Sequence, residues 1–285
     1  MLLDTGFYAD ALDKVRDLTS SDSDVMTRVF LLRGWACLRL NRYAEAREHL
    51  ARALEQCHLH GDIDTALDAE RGLNTILRDL GHHPEAASHA RRILQQALSE
   101  KVPLPTLAGC YRVVARSHAL TGQIAEALEA GEKALKIGRD IESLRAIGNA
   151  ELSLGEACRH GKQLQAAADH YRQAVDNADR IANRDSFLWS GLGLSDTLLL
   201  MGLRDAASQM LERVAEIVRD NELRYPLENC HWAFSIAILD FLETFTVSAD
   251  LDRVLTKYRE LGIRWPAAYF DHVARPGEEL VPKQF

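Results

Sequence analysis

Paired histidines are the residues of this chain whose spacing comes nearest to a metal site. His58 and His60 lie between predicted helices, and His82 and His83 lie at a predicted turn. Structural zinc needs four ligands, usually including cysteine or carboxylate partners at short spacing. No such partner recurs near either pair, so we interpret them as polar loop residues and predict no metal site. Three other histidines are predicted to face outward from second helices: His49, His89 and His170.

Motifs for catalysis are missing from the sequence. It contains no glycine-rich phosphate loop after a strand, no nucleophile elbow and no zinc-protease histidine pair. Gly191 and Gly193 lie in a predicted helix and lack the strand that a dinucleotide-binding turn requires. We therefore predict a protein that is not an enzyme and needs no cofactor. The alternative is an active site assembled from distant residues, which would need a deep pocket with a perturbed carboxylate or histidine.

The composition is typical of a folded protein of a reducing compartment. The five cysteines are odd in number and show no paired spacing, so they indicate neither a disulfide framework nor a zinc site. Asp4 interrupts the first residues before an apolar signal core forms, and the most apolar stretches are too short for a membrane span. A net charge of -8 argues against a general nucleic-acid binder. We expect a cytoplasmic protein with no membrane partner and no direct nucleic-acid partner.

A repeated pattern of turns predicts the elements that position any functional residue. The turn positions are Gly6, Asn41, Gly81, Gly122, Lys162 and Gly202, at steps of 35, 40, 41, 40 and 40 residues. An alanine follows each turn five residues later, at Ala11, Ala46, Ala86, Ala127, Ala167 and Ala207. Because apolar stripes of helical period flank each turn, every unit is predicted to be an antiparallel helix pair. Such a pair must pack on its neighbours to bury its apolar face.

The motif that begins at Gly34 resembles the tetratricopeptide repeat. In Gly34…Leu40-Asn-Arg-Tyr43-Ala-Glu-Ala46…Leu50…Ala53-Leu54, a small residue, an aromatic residue and two alanines occupy that family's offsets. The resemblance covers Gly6 to about Val218. The family's usual period is about 34 residues, and the longer step here is similar to kinesin light chains, adaptors of the Leu-Gly-Asn type and sensor arrays of bacterial transcription activators. The resemblance implies an all-α, right-handed superhelical solenoid of antiparallel helix pairs.

We expect one helical array over residues 1–273 and an extended or mobile tail over residues 274–285. The array should contain about six helix pairs, of which the last caps the stack, because a terminal unit must cover exposed apolar surface. Only five residues precede Gly6, too few for a first helix, so the first pair is predicted to be incomplete. Either that pair is degenerate or the chain is a piece of a longer protein.

The resemblance also implies which side chains face a ligand, because the first helices of such repeats line a concave groove. The binding residues predicted in this way are Arg28, Trp35, Arg39, Arg71, Arg78, Arg112, Arg116, Arg159 and Trp189. The planar fork of arginine suits carboxylates and phosphates, which favours an acidic or phosphorylated segment. The alternative is that these arginines solvate the helices and pair with nearby acids, in a chain with 27 arginines and 7 lysines. The tryptophans are either binding anchors or core residues.

The predicted function is that of a non-enzymatic scaffold or regulatory module whose concave groove binds a protein or peptide segment. An acidic stretch or a free C-terminus is the feature that such a groove would recognise. The alternative is an effector-sensing array cut from a larger signalling ATPase or transcription activator, which the long period and the abrupt amino terminus favour.

Overall fold

The computed structural model describes residues 8–218, 231–239, 253–254 and 256. Its helices are α1 (Tyr8–Val15), α2 (Ser23–Arg39), α3 (Tyr43–His60), α4 (Ile63–Asp79), α5 (His83–Ser99), α6 (Leu104–Leu120), α7 (Ile124–Asp140), α8 (Leu144–His160), α9 (Leu164–Arg180), α10 (Arg184–Leu200) and α11 (Arg204–Val218). Residues 231–239 are also helical, and the described ranges contain no strand. The predicted all-α class is therefore confirmed.

The chain reverses direction at the predicted turn positions. Of the six, Gly6 lies outside the described residues, and the other five all have positive φ: Asn41 at 59°, Gly81 at 82°, Gly122 at 76°, Lys162 at 59° and Gly202 at 76°. A left-handed residue at this place ends one helix and redirects the chain into the next. The spacing of these turn residues along the sequence therefore sets the length of each repeat.

Small residues set the distance between the two helices of a pair. The alanines that follow the five described turns are fully buried, at 0% exposure. Gly34 and Gly72 both face Leu50, and a Cβ at either position would lie 2.7 Å from that side chain. Leucine of α3 thus fits between the first helices of two successive repeats only because both lack a side chain there. This close approach couples each pair to the next.

The helix pairs stack with their first helices side by side. α2, α4, α6, α8 and α10 each pack on the next of the series, and each also packs on the second helix of its own pair. Their first residues are Ser23, Ile63, Leu104, Leu144 and Arg184, so the step is 40, 41, 40 and 40 residues. The result is the predicted superhelical solenoid, in which the five first helices share one wall. α1 precedes these five pairs and packs on α2.

Local capping residues determine where two of the first helices begin. α2 begins at Ser23, where the Asp22 carboxylate accepts hydrogen bonds from two backbone amides. α6 begins at Leu104, directly after Pro103. The predicted capping pair beyond Val218 and the tail over residues 274–285 lie outside the described residues, except for segment 231–239 and three positions near residue 254. No helix in the described part is long and apolar enough to cross a membrane.

Two histidines predicted to face outward are instead paired with glutamates of the facing helix. His89 of α5 lies 2.6 Å from a carboxylate oxygen of Glu70 in α4, and His170 of α9 lies 2.7 Å from one of Glu151 in α8. Both pairs occupy the same place in their repeats, and the partners are 19 positions apart in the sequence. The outward prediction is wrong for these two residues because apolar periodicity alone does not reveal an acid on the facing helix.

Candidate functional site

The concave wall of the solenoid encloses a cavity of about 570 Å³. All five first helices contribute side chains, and α1 adds Tyr8 while segment 231–239 adds His231. Six arginines line the cavity against four carboxylates, which gives a formal charge of +2 inside a chain of -8: Arg39, Arg78, Arg112, Arg116, Arg145 and Arg159 against Asp79, Glu156, Asp185 and Asp196. The cavity therefore differs in sign from the chain as a whole.

Seven of the nine predicted binding residues line this cavity. They are Trp35, Arg39, Arg78, Arg112, Arg116, Arg159 and Trp189. Arg28 does not, because it is exposed in the first turns of α2. Arg71 does not line it either: it forms an ion pair with Asp68, and its guanidinium packs where a Cβ of Gly109 would otherwise lie.

Three of the cavity arginines form ion pairs between different helices. Arg116 of α6 donates two hydrogen bonds, of 2.6 and 2.7 Å, to the carboxylate of Glu156 in α8. Arg159 lies 3.6 Å from Asp196 of α10, and Arg39 of α2 pairs with Asp185 of α10. Burial alone would raise the pKa of Glu156, but Arg116 holds it below its ordinary value. These three arginines therefore connect helices by pairing with nearby acids, which is the alternative that the sequence analysis gives for the groove arginines.

Arg78 and Arg112 also line the cavity, and neither belongs to one of these three ion pairs. Within the described ranges neither has a carboxylate within 4.0 Å. Arg78 is only 8% exposed, and its Nε has no hydrogen-bond partner among the described residues. Burial, followed by the neighbouring arginines, lowers the pKa of Arg112 to about 9, and burial with Arg116 lowers that of Arg78 to about 10. Both remain cationic at neutral pH, and both would gain from an anion.

Aromatic side chains form the end of the cavity nearest α2 and α10. Trp35 and Trp189 are half-buried and line it together with Tyr8. The Arg39 guanidinium lies 5.7 Å from the ring centroid of Trp189 and 5.5 Å from that of Tyr8, within the range of cation–π attraction. This end offers large apolar surfaces, whereas the centre offers cations.

Several buried hydrogen-bonding atoms at the cavity wall lack a partner in the described part of the chain. They include Trp35 Nε1, Arg78 Nε, His83 Nδ1 and Trp189 Nε1. Leaving a buried donor unpaired costs about 1–3 kcal/mol, and buried polar groups in native proteins are nearly always satisfied. Three of these four atoms are obligate N–H donors, which water or the oxygen atoms of a ligand would satisfy.

A buried carboxylate of α10 also contributes to the cavity wall. Asp196 is fully buried and accepts hydrogen bonds from His231 Nε2 at 2.9 Å and from Ser235 Oγ at 3.1 Å. Burial alone would raise the pKa of Asp196, but His231 and Arg159 lower it. This network holds segment 231–239 against α10.

The lining residues that sequence reasoning missed include Tyr8, His83, Asp185 and His231. Asp185 and His83 lie in the first turns of their helices, outside the inner stripe of a single repeat. His231 belongs to the part of the chain where the period is lost. A search for polar residues in the first turns of helices that face a neighbouring repeat would have found Asp185 and His83.

The fold and the cavity define the class: a solenoid of two-helix repeats with a cavity on its concave side. A family model for the tetratricopeptide repeat matches residues 2–58. The described helix pairs beyond this match continue the same two-helix pattern, with the predicted step of about 40 residues. Comparison with curated proteins gives no sequence match.

Solved structures share this fold at low sequence identity. A Rap protein complexed with competence and sporulation factor has a TM-score of 0.70 at 14% identity, over 95% of this chain and 79% of that one. Aspartyl phosphate phosphatase F from Bacillus subtilis has a TM-score of 0.57 at 14% identity, over 93% and 78%. BtubC (BKLC) from P. vanneervenii has a TM-score of 0.53 at 16% identity, over 87% and 95%. At these identities the similarity is one of fold.

Proposed function

We propose that the chain is a non-enzymatic binding module whose concave cavity holds a protein or peptide segment. The observation that supports this most is the placement of Arg78 and Arg112 in the cavity wall: neither has an ion-pair partner in the described ranges, whereas Arg39, Arg116 and Arg159 are paired. A buried cation without a counter-ion is costly unless an occupant neutralises it. The site is therefore suited to an anionic ligand.

The ligand that fits best presents a carboxylate, from an acidic side chain or from a free C-terminus. A guanidinium forms two parallel hydrogen bonds with a carboxylate, which fixes the orientation of the ligand as well as its charge. The neighbouring indoles of Trp35 and Trp189 supply apolar surface and N–H donors for peptide carbonyl oxygens. Most of the affinity would come from the aromatic side chains, and the arginines would fix the position of the bound segment along the cavity.

A solved structure of similar fold supports a bound partner in general, without bearing on its charge. That structure shows a protein of similar fold complexed with competence and sporulation factor. The buried, free cysteines Cys37, Cys57, Cys110 and Cys158 fit a reducing compartment, so the proposal places the module in the cytoplasm. We also propose that residues 1–273 form a single helical array.

Fluorescence anisotropy with a labelled library of short acidic peptides tests the proposal. For the tightest binder, Arg112→Ala should raise Kd by about 10- to 100-fold, because a hydrogen bond to a charged group is worth about 1.5–3 kcal/mol. Arg28→Ala is the matched control, since Arg28 is exposed and does not line the cavity. Amidating the peptide C-terminus separates recognition of a terminal carboxylate from that of a side chain. Equal binding by both variants would exclude recognition at the cavity.

The size of the cavity favours one other function. A volume of about 570 Å³ lies within the range of small-molecule pockets, about 300–1,000 Å³. The effector-sensing alternative would accordingly place a small organic anion on Arg78 and Arg112. A thermal-shift screen of organic acids distinguishes the two functions, because an effector raises Tm without any peptide. Stabilisation that survives Arg112→Ala would contradict this second function.

A further inference from the structure

The first and last complete repeats of the described solenoid meet at one side of the cavity. α2 and α10 are not among the helix pairs that pack closely, whereas every neighbouring pair of first helices is. Their contact is made by long side chains that reach across the gap. Such a contact differs in kind from the backbone-to-backbone packing that joins successive repeats.

Arg39 is the centre of this contact. It extends from the last turn of α2 to pair with Asp185 in the first turn of α10. Its guanidinium also lies against the ring of Trp189 from α10 and that of Tyr8 from α1. We call these four residues the α2–α10 contact.

Apolar packing follows the same route. One cluster of buried residues joins Tyr8, Leu12 and Leu50 near the amino terminus to Leu188 and Leu192 of α10. Trp35 and Trp189 pack against this cluster, while repeats in the middle of the chain have separate clusters of their own. The two ends are thus connected directly across the cavity.

We propose that the α2–α10 contact is a reversible closure that sets the width of the cavity and controls access to it. Each repeat contacts only its neighbours, so small changes of angle between repeats add up to a large displacement at the ends. In the described part of the chain, the side chains of the α2–α10 contact hold the two ends together and so oppose that displacement. When it opens, the indoles of Trp35 and Trp189 become accessible from the side.

The ion pair is suited to opening because it is neither fully buried nor fully exposed. The Arg39 and Asp185 side chains are 17% and 26% exposed, so water can solvate both charges as they separate. By contrast, Asp196, further along α10, is fully buried with three partners. The closure therefore opens at the Arg39–Asp185 pair, while the contacts of Asp196 are kept.

Distance measurements on the free protein test this inference without any ligand. Spin labels carried on non-thiol unnatural residues at Glu55 of α3 and Glu216 of α11, both exposed, report the separation of the ends by pulsed electron resonance. Arg39→Asp should lengthen and broaden this distance distribution. The double variant Arg39→Asp with Asp185→Arg should restore it, because the pair is rebuilt with opposite polarity.

Two controls keep the result interpretable. Arg42→Asp removes an exposed ion pair with Glu45 inside one turn of α3 and should leave the distance unchanged. A second label pair, Glu55 with Gln95 of α5, both exposed, spans repeats that adjoin directly and should not respond. An unchanged Glu55–Glu216 distance in Arg39→Asp, or no recovery in the double variant, would overturn the proposal. Neither result bears on whether the cavity binds a peptide.

Discussion

Replacing Glu151 by glutamine tests whether the buried histidine–glutamate pairs stabilise the stack. Glu151 is 1% exposed, and its carboxylate contacts His170 at 2.7 Å, while Arg139 lies further away at 3.8 Å. Glutamine keeps the shape and one acceptor but removes the charge. His170 would then lose its ionic partner in an interior site, and the free energy of unfolding should fall.

The magnitude follows from the pKa of His170. Contacts with Cys158 and with Glu151, against the opposing effect of burial, raise the pKa of His170 from 6.5 to about 10. At about 1.4 kcal/mol for each pH unit, this corresponds to an upper limit of about 5 kcal/mol, shared between the two partners. Breaking a buried pair costs about 3–5 kcal/mol. Because glutamine still accepts a hydrogen bond, we expect a loss near 3 kcal/mol at pH 7.

The pH dependence has a definite sign. A histidine whose pKa is higher in the folded state than in the unfolded state stabilises the protein fully below about pH 6.5, and this stabilisation disappears as the pH rises towards 10. The wild-type protein should therefore lose stability between pH 7 and pH 9.5. Glu151→Gln should show much less of this decline, because most of the stabilisation is already gone.

Urea unfolding followed by far-UV circular dichroism at pH 7 and pH 9.5 measures both effects. Glu70→Gln is the matched comparison at the equivalent position of an earlier repeat, where the acid is 24% exposed. Greater exposure means better solvation of the separated charges, so this variant should lose about 1 kcal/mol. If the two variants lose the same free energy, or if Glu151→Gln retains the full decline with pH, burial is not the cause that we assign.

Two further predictions concern the packing between repeats. Gly155→Ala should lower the free energy of unfolding by about 1–3 kcal/mol, because a Cβ there would lie 2.9 Å from the ring of Tyr171, which is itself fully buried; an unchanged thermal midpoint would show that the ring moves aside freely. Asn74→Ala should cost about 2–3 kcal/mol, since the Asn74 amide donates to the Ala86 carbonyl at 2.7 Å and accepts from Ser117 at 3.0 Å. Ser88→Ala on the neighbouring second helix, at an exposed position, is the control that chemical denaturation should leave unaffected.

The sequence predicts the fold well because its determinants are local and repeated. A left-handed turn residue and a buried alanine five positions later mark each described helix pair within about 40 residues. Asn41 and Lys162 show that the rule does not depend on glycine, since both adopt positive φ at equivalent turns. The same locality explains why the prediction is confirmed only as far as the period lasts.

The binding wall is predictable in part, because a helix face is local but the curvature of the stack is not. Arg112 and Arg116 were assigned to the wall from their helix position, and both line the cavity. Arg28 was assigned by the same rule, yet it lies beyond the edge of the cavity. The meeting of Arg39 with Asp185 depends on the summed angles of four repeats, which no motif within one repeat encodes.

Which arginines are available to a ligand depends on the acids of neighbouring repeats. Arg112 and Arg116 lie one turn apart on α6, yet Glu156 of α8 pairs with Arg116 and not with Arg112. A substitution of Arg116 would leave Glu156 buried without its partner and disturb the packing of α6 on α8, so lost binding in that variant would not identify a ligand contact. Arg112 carries no such structural role among the described residues. Its replacement by alanine therefore separates recognition from folding, and Arg112→Lys separates charge from the bidentate geometry of the guanidinium. If lysine restores binding in full, the site recognises charge alone, and the specificity assigned to the planar fork is wrong.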